Sequence, residues 1–288
     1  MKLRLLSAAA ILACALSAAP ATAQDTESVA PNEGGTIADD PNSLTIGIGG
    51  AYRPSYEGSD NYEFGPIGAV FGKVAGFSFA TRGTGLAVDL FRDPRDAPVS
   101  FELGPVAYVR LNRTSGIKDP QVRALGKLDT AIELGAVAGI AKNGVLHQYD
   151  SLGVRLTWQK DVADVHDSYV LTPSIEYQTP LSTSTYITVS ASMERVGDGY
   201  ARTYFSVTPA GAVASGLPAF NAEGGWKSTS FSLFGAQILT GDLRDPGLSL
   251  FGGFSYSKLR GDFKRSPIVS IAGDSDQFFA LAGLAYTF

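Results

Sequence analysis

Cysteine is almost missing from this chain: its 288 residues hold one, Cys14, inside the apolar stretch that opens the sequence. The first 23 residues carry Lys2 and Arg4, then the uncharged run LLSAAAILACALSAA, then Ala21-Thr22-Ala23 before Gln24. A basic start, a short apolar segment and an A-x-A site predict a secretory signal peptide, 1–23, too short to span a bilayer as an anchor. Cleavage after Ala23 takes the cysteine with it, which excludes disulfides and thiol chemistry from the mature chain. Histidine is scarce too. His147 and His166 stand apart and offer no metal-ligand cluster. Clustered positive charge is also lacking. Loss of Lys2 and Arg4 leaves 21 basic residues against 28 acidic ones, a formal charge of about −7, which argues against a nucleic-acid partner. Beyond the signal peptide no apolar run is long enough for a spanning helix, so helical inner-membrane classes are excluded.

What is there begins with an acidic arm. Residues 24–43, QDTESVAPNEGGTIADDPNS, are rich in Gly, Pro and Ser and lack aromatics, so they predict a flexible periplasmic segment. Residues 44–288 alternate with a period of two. Leu44, Ile46, Ile48 and Tyr52 oppose Thr45, Gly47, Gly49 and Arg53; Leu152, Val154, Leu156 and Trp158 oppose Gly153, Arg155 and Thr157. Comparable stretches recur at 64–74, 76–90, 99–111, 130–141, 169–177, 187–194, 200–208, 229–239 and 247–259, and the chain closes on the alternating DQFFALAGLAYTF.

With the last segment this makes about twelve strands, or ten if one hairpin is miscounted, with no helical stripe between them. The prediction is an all-β, closed antiparallel transmembrane barrel over 44–288, in the outer membrane of a Gram-negative cell. Aromatics end the apolar faces at Tyr52, Trp158, Tyr169, Tyr177 and Phe288, where a membrane girdle would place them. Charges fall on the opposite face, making Arg53, Glu102, Arg110, Glu133, Arg155, Glu176 and Glu194 candidate lumen charges. RDPRDAP and GDLRDPG read as tight inner turns. NRTSGIKDPQVRALGKLD breaks the alternation of long and short connections, and either folds against the lumen or marks a miscounted hairpin.

Three stretches carry a family resemblance. AYRPSYEGSDNY, YARTYFSVTPAGAVASGLPAFNAEGGWKSTSFSLFG and SPIVSIAGDSDQFFALAGLAYTF resemble, in order, segments of the MipA/OmpV family of MltA-interacting outer-membrane proteins. The residues that carry the likeness are Pro54, Tyr56, Gly58 and Ser59, then Tyr204, Phe205, Ser215, Gly216, Leu217 and Pro218, then Ser266 and Pro267. Tyr286 and Phe288 resemble the closing-strand signature that such barrels present to their assembly machinery. The resemblance implies a non-catalytic scaffold that tethers an MltA-type lytic transglycosylase and a bifunctional murein synthase. It also leaves open a small-solute pore or an adhesion-related protein. It brings no catalytic residues and no cofactor. A periplasmic partner would meet the short turns, the acidic arm or NRTSGIKDPQVRALGKLD.

Catalytic patterns are sparse. His166 stands two residues before Ser168, with Glu176 further on, which is the spacing of a lipid A hydrolase, yet DVADVHDSY reads more simply as an acidic turn with a solvated histidine. Asp39-Asp40 sit in the arm, without the rigid frame a carboxylate pair needs. GSDNYEFG lacks calcium-loop spacing, and GIGG and LFGGF precede no helix that could hold a phosphate. The residues therefore predict no catalytic, cofactor or metal site.

Overall fold

The computed structural model describes residues 42–94 and 97–288. The predicted signal peptide, the arm as far as residue 41 and Asp39-Asp40 lie outside the described residues. Twelve strands follow one another: β1 (Ser43–Pro54), β2 (Tyr62–Val74), β3 (Phe77–Arg82), β4 (Gly85–Asp89), β5 (Val99–Arg110), β6 (Ala131–Asn143), β7 (Ser151–Asp161), β8 (Tyr169–Pro180), β9 (Thr185–Val196), β10 (Gly225–Ile238), β11 (Gly247–Leu259) and β12 (Asp276–Thr287). Each pairs antiparallel with its neighbours, and β12 returns to β1 to close a barrel. No helix among the described residues is long and apolar enough to cross a membrane. The alternation explains the wall. Ile46, Ile48, Leu156, Leu233, Leu284 and their like are exposed on the outside, whereas Thr45, Arg53, Thr157, Thr188 and Ser232 are buried inside. Only a hydrocarbon surround satisfies that inversion, and closure leaves few backbone groups bare in it.

At the seam the Phe288 N–H donates to the Leu44 carbonyl at 2.9 Å, and the Thr45 and Thr287 hydroxyls meet at 2.8 Å. Ser43 and Thr287 share one end of the barrel with the connections 75–76, 90–98, 144–150, 181–184 and 239–246. The other end carries 55–61, 111–130, 162–168, 197–224 and 260–275. Short turns face the periplasm and long loops face outward in such barrels, which sets the inner and outer ends. Three of the outer loops hold helices: α1 (Pro120–Ala124), α2 (Asp198–Phe205), α3 (Pro209–Ser215), α4 (Gly261–Arg265) and α5 (Pro267–Ser270).

The count of twelve conceals two errors that cancel. The stretch 76–90, read as one strand, is the hairpin β3–β4, because Gly83 turns the chain at φ 58° while the alternation continues on both sides of it. The stretch 200–208, also read as a strand, is mostly helix α2. Tyr200, Tyr204 and Phe205 are all buried on that helix, a spacing of four and five that fits the helical period. The loop 111–130 folds inward, with Ile117 and Val122 buried among plug residues.

The hairpin is short, and it leaves a notch. β3 pairs with β2 only from Phe71 to Val74, and above that point the Thr81 hydroxyl bonds the Val70 N–H and carbonyl at 2.8 Å each. Further along β2, the alternation turns the backbone of Phe64, Pro66 and Gly68 away from β1, where among the described residues nothing bonds it. Pro66 has no N–H to leave bare, as suits a strand edge. Lys118 reaches only the Tyr62 carbonyl above the gap.

Candidate functional site

The seven candidate lumen charges all face the interior, and each meets a partner there. Toward the inner half, Arg82 Nη2 lies 3.0 Å from Glu102 Oε1, Arg155 Nε 2.6 Å from Glu102 Oε2, and Arg155 Nη1 3.8 Å from Glu176. Near the outer rim Arg53 donates to Glu63 at 3.2 Å. Glu133, fully buried, accepts from Arg110 Nε at 2.6 Å and Arg110 Nη2 at 3.0 Å, from Gln159 at 2.7 Å, and faces His166 Nε2 at 2.8 Å. Lys227 Nζ meets Glu194 at 2.6 Å and also Glu57. One phenol joins these groups: the Tyr200 hydroxyl accepts from Arg110 at 2.9 Å and Lys227 at 3.1 Å, and donates to Glu57 at 2.8 Å.

Arg82, Lys227, Glu57, Glu63 and Tyr200 were missed in the sequence. Lys227 and Glu57 lie at or beyond strand ends, where the two-residue period had lapsed. Arg82 lay in the misread 76–90 stretch.

His166 corrects the reading of a solvated turn histidine. It is 3% exposed, and its ring packs against Tyr200 and Tyr204 with centroids 5.2 and 5.8 Å apart. Its Nε2 is engaged by Glu133 rather than Ser168, and Glu176 faces Arg155 instead of the histidine. Its Nδ1 is buried and meets no partner among the described residues, so the ring makes no bond to Ser168. Among the described residues no group of three or more His, Cys, Asp or Glu is placed to hold a metal ion.

The family-like loop residues converge above this network and close the outer end of the lumen. Tyr56 is fully buried, and its hydroxyl donates to the Ala272 carbonyl. Burial, reinforced by Asp119 nearby, pushes that phenol well above its ordinary pKa. Gly58 adopts φ 91° and donates its N–H to Gln277 at 3.1 Å, while the Ser59 and Ser55 hydroxyls meet at 3.0 Å. Pro54 is buried beside them. Gly216 takes the left-handed position that ends α3, at φ 73°, followed by buried Leu217 and exposed Pro218. The Ser215 hydroxyl donates back to Gly211 at 2.7 Å. Ser266 bonds the Phe205 carbonyl at 2.5 Å and caps α5, whose first residue is Pro267. Tyr200, Tyr204, Phe205, Phe263 and Val269 form one apolar cluster, and Tyr56, Ile117, Val122, Leu217 and Ile268 a second. Arg113 sits in this plug with its guanidinium on the Tyr204 and Gly126 carbonyls at 3.4 Å, and burial pushes its pKa down to about 10.

Tyr286 and Phe288 lie elsewhere. They face outward at the inner rim, with rings 4.8 Å apart.

A closed antiparallel wall, apolar outside and ionic within, defines an outer-membrane β-barrel. The family model described as MltA-interacting protein MipA matches residues 46–288, and the chain belongs to that family. No curated protein sequence matches it. Among solved structures it is similar to the COG4313 outer membrane channel of Pseudomonas putida F1, at 11% identity and TM-score 0.46 over 91% of this chain and 100% of that one. It is also similar to the toluene transporter TodX of Pseudomonas putida, at 10% identity and TM-score 0.38 over 87% and 90%.

Proposed function

We propose that this barrel is a non-catalytic scaffold that holds an MltA-type lytic transglycosylase, together with a bifunctional murein synthase, at the inner face of the outer membrane. The observation that carries the reading is the filled outer lumen: loops and ion network lock that end, which leaves the inner turns as the working surface. Those turns present apolar side chains to the periplasmic side, with Leu146 79% and Leu181 62% exposed, Tyr149 in the same connection as Leu146, and Leu239 exposed in the connection 239–246. Exposed apolar groups of this kind are what a protein partner covers. The family name supports the choice of partner. NRTSGIKDPQVRALGKLD, counted above among surfaces for a periplasmic partner, lies at the outer end and is removed from that role.

The test titrates refolded barrel in detergent with the host's own transglycosylase and synthase, against a barrel of another family. Saturable binding weakened by Leu146→Asp with Leu181→Asp is the expected result, and no binding at micromolar concentrations overturns the scaffold. A small-solute pore is the second reading, favoured by the Ser and Thr side chains lining the inner half, and planar-bilayer conductance decides it.

A further inference from the structure

The notch in the wall and one line of side chains inside it fit together. Ile67 stands between Pro66 and Gly68, the residues whose backbone edges the gap, and its side chain points inward. Following the hydrogen-bonded register from Ile67 leads through Gly49, Gly283, Phe251 and Ala236 to Tyr186. Strands in a barrel tilt, so a register row climbs the wall. This one starts near the inner end of β9, since Tyr186 is its second residue, and arrives at the middle of β2 beside the notch. The row carries no charged side chain and one polar group, the buried Tyr186 hydroxyl, unlike the charged wall of β5 to β8.

Its glycines have a steric reason. A Cβ on Gly283 would stand 2.5 Å from the Phe251 ring, and one on Gly47 would stand 3.1 Å from it, so the ring lies flat across bare backbone. Phe234 stacks on Phe251 with centroids 6.2 Å apart and meets Tyr186 tilted, at 6.1 Å. Ile67 packs against this cluster at one side, and Leu243, from the inner turn 239–246, packs against it at the other. The rings are buried, so the row is a file of packed side chains that must turn to admit a guest.

The edge itself shows what kind of guest. Phe64 is 77% exposed because no strand lies on its β3 side. Pro66 blunts the edge against an added peptide strand. The plug shuts the outer mouth, so the notch is the remaining way from the outer leaflet to the row.

We propose that the barrel passes small apolar molecules sideways, from the outer leaflet through the notch between β2 and the β3–β4 hairpin, and along the Ile67–Phe251–Tyr186 row to the periplasm. The guest is an uncharged, largely hydrocarbon solute of about one or two rings, because the row offers apolar faces and no charge. This activity is separate from the scaffold and stands or falls without it.

The test expresses the full chain in an outer-membrane host and follows entry of N-phenyl-1-naphthylamine, which brightens in apolar surroundings. A barrel of another family at equal level serves as control, and nitrocefin hydrolysis by a periplasmic β-lactamase serves as the polar reporter. The chain should speed naphthylamine entry several-fold over the control and leave nitrocefin unchanged. Two variants should return the rate to the control: Ile67→Asp, and a β3–β4 hairpin lengthened by five alternating residues on each strand, before Gly83 and after Thr84, to pair with Gly68 through Phe64. A heat-modifiable gel shift reports folding of each. Equal rates for the native chain and the control barrel overturn the proposal without any variant, as do unchanged rates in variants that fold.

Discussion

One cluster in the outer half of this lumen and one stretch in its inner half are built on opposite terms. In the outer half Glu133 is surrounded by Arg110, Gln159 and His166, and Tyr200 ties that group to Lys227 and Glu57. In the inner half Thr188, Gln178 and Tyr186 bury polar atoms that no described group meets. A bond-saturated interior has one arrangement of low energy and resists change, whereas an under-bonded one loses little by rearranging. The Glu133–Tyr200 group is thus a lock, and the stretch around Thr188, Gln178 and Tyr186 is the part free to adapt.

Breaking the lock should give the largest effect. Glu133→Ala strands Arg110 and His166 in a buried site, and removing one partner of a buried ion pair costs about 3–5 kcal/mol. Urea unfolding in detergent, read by the heat-modifiable gel shift, should show that loss, and bilayer recordings should show a larger current than the native chain gives. Tyr200→Phe is gentler, since it deletes one hydroxyl but keeps the ring: about 1–3 kcal/mol, with Arg110 and Lys227 each losing a bond. An unchanged midpoint for Tyr200→Phe would mean that the two charge groups are not joined through it.

The inner rim offers a pH-dependent contrast. Partial burial works to raise the Asp150 carboxyl, but the Leu146 N–H, the Tyr177 hydroxyl and the Val145 and His147 N–H groups outweigh it and hold its pKa below the ordinary 3.8. A group depressed in the folded state stabilises fully above its unfolded pKa and loses that contribution as pH falls through the folded one. Hydrogen-exchange protection in the turn 144–150, corrected for the intrinsic rate, should therefore fall on acidification below about pH 4, and Asp150→Asn should abolish that pH dependence. The smallest effect belongs to Thr188→Val. Its Oγ1 has no partner, so an isosteric swap should shift the unfolding midpoint by no more than about 0.5 kcal/mol, in either direction.

The wall was legible in the sequence because lipid outside and polar groups inside impose a period of two on every strand. Arg53, Glu102, Arg110, Glu133, Arg155, Glu176 and Glu194 stood out by that rule alone. Where the rule lapses, reading failed. Tyr200, Tyr204 and Phe205 have a spacing that fits both a short strand and a helix, and only packing against Phe263 and His166 decides between them. His166 was misread because its partner Glu133 lies 33 residues away, beyond the reach of any local pattern. The family-like residues had been noticed without a role. The structure shows why they differ from generic loop composition: Gly216 ends a helix that needs a left-handed residue, and Tyr56 and Leu217 fill the plug.

The seam has a kinetic side. Thr45 and Thr287 touch across 242 positions of sequence, whereas Lys258 and Asp276 of the β11–β12 hairpin are 18 apart. Loop-closure entropy grows only with the logarithm of length, so the long closure costs about 2 kcal/mol more than the short one. The larger penalty is in time. Eleven neighbouring pairs can zip in order of synthesis, but the twelfth waits for both edges to be finished, and two bare edges persist until then. Closure of this barrel therefore depends on how long β1 stays unpaired, which is a matter of rate and not of final stability.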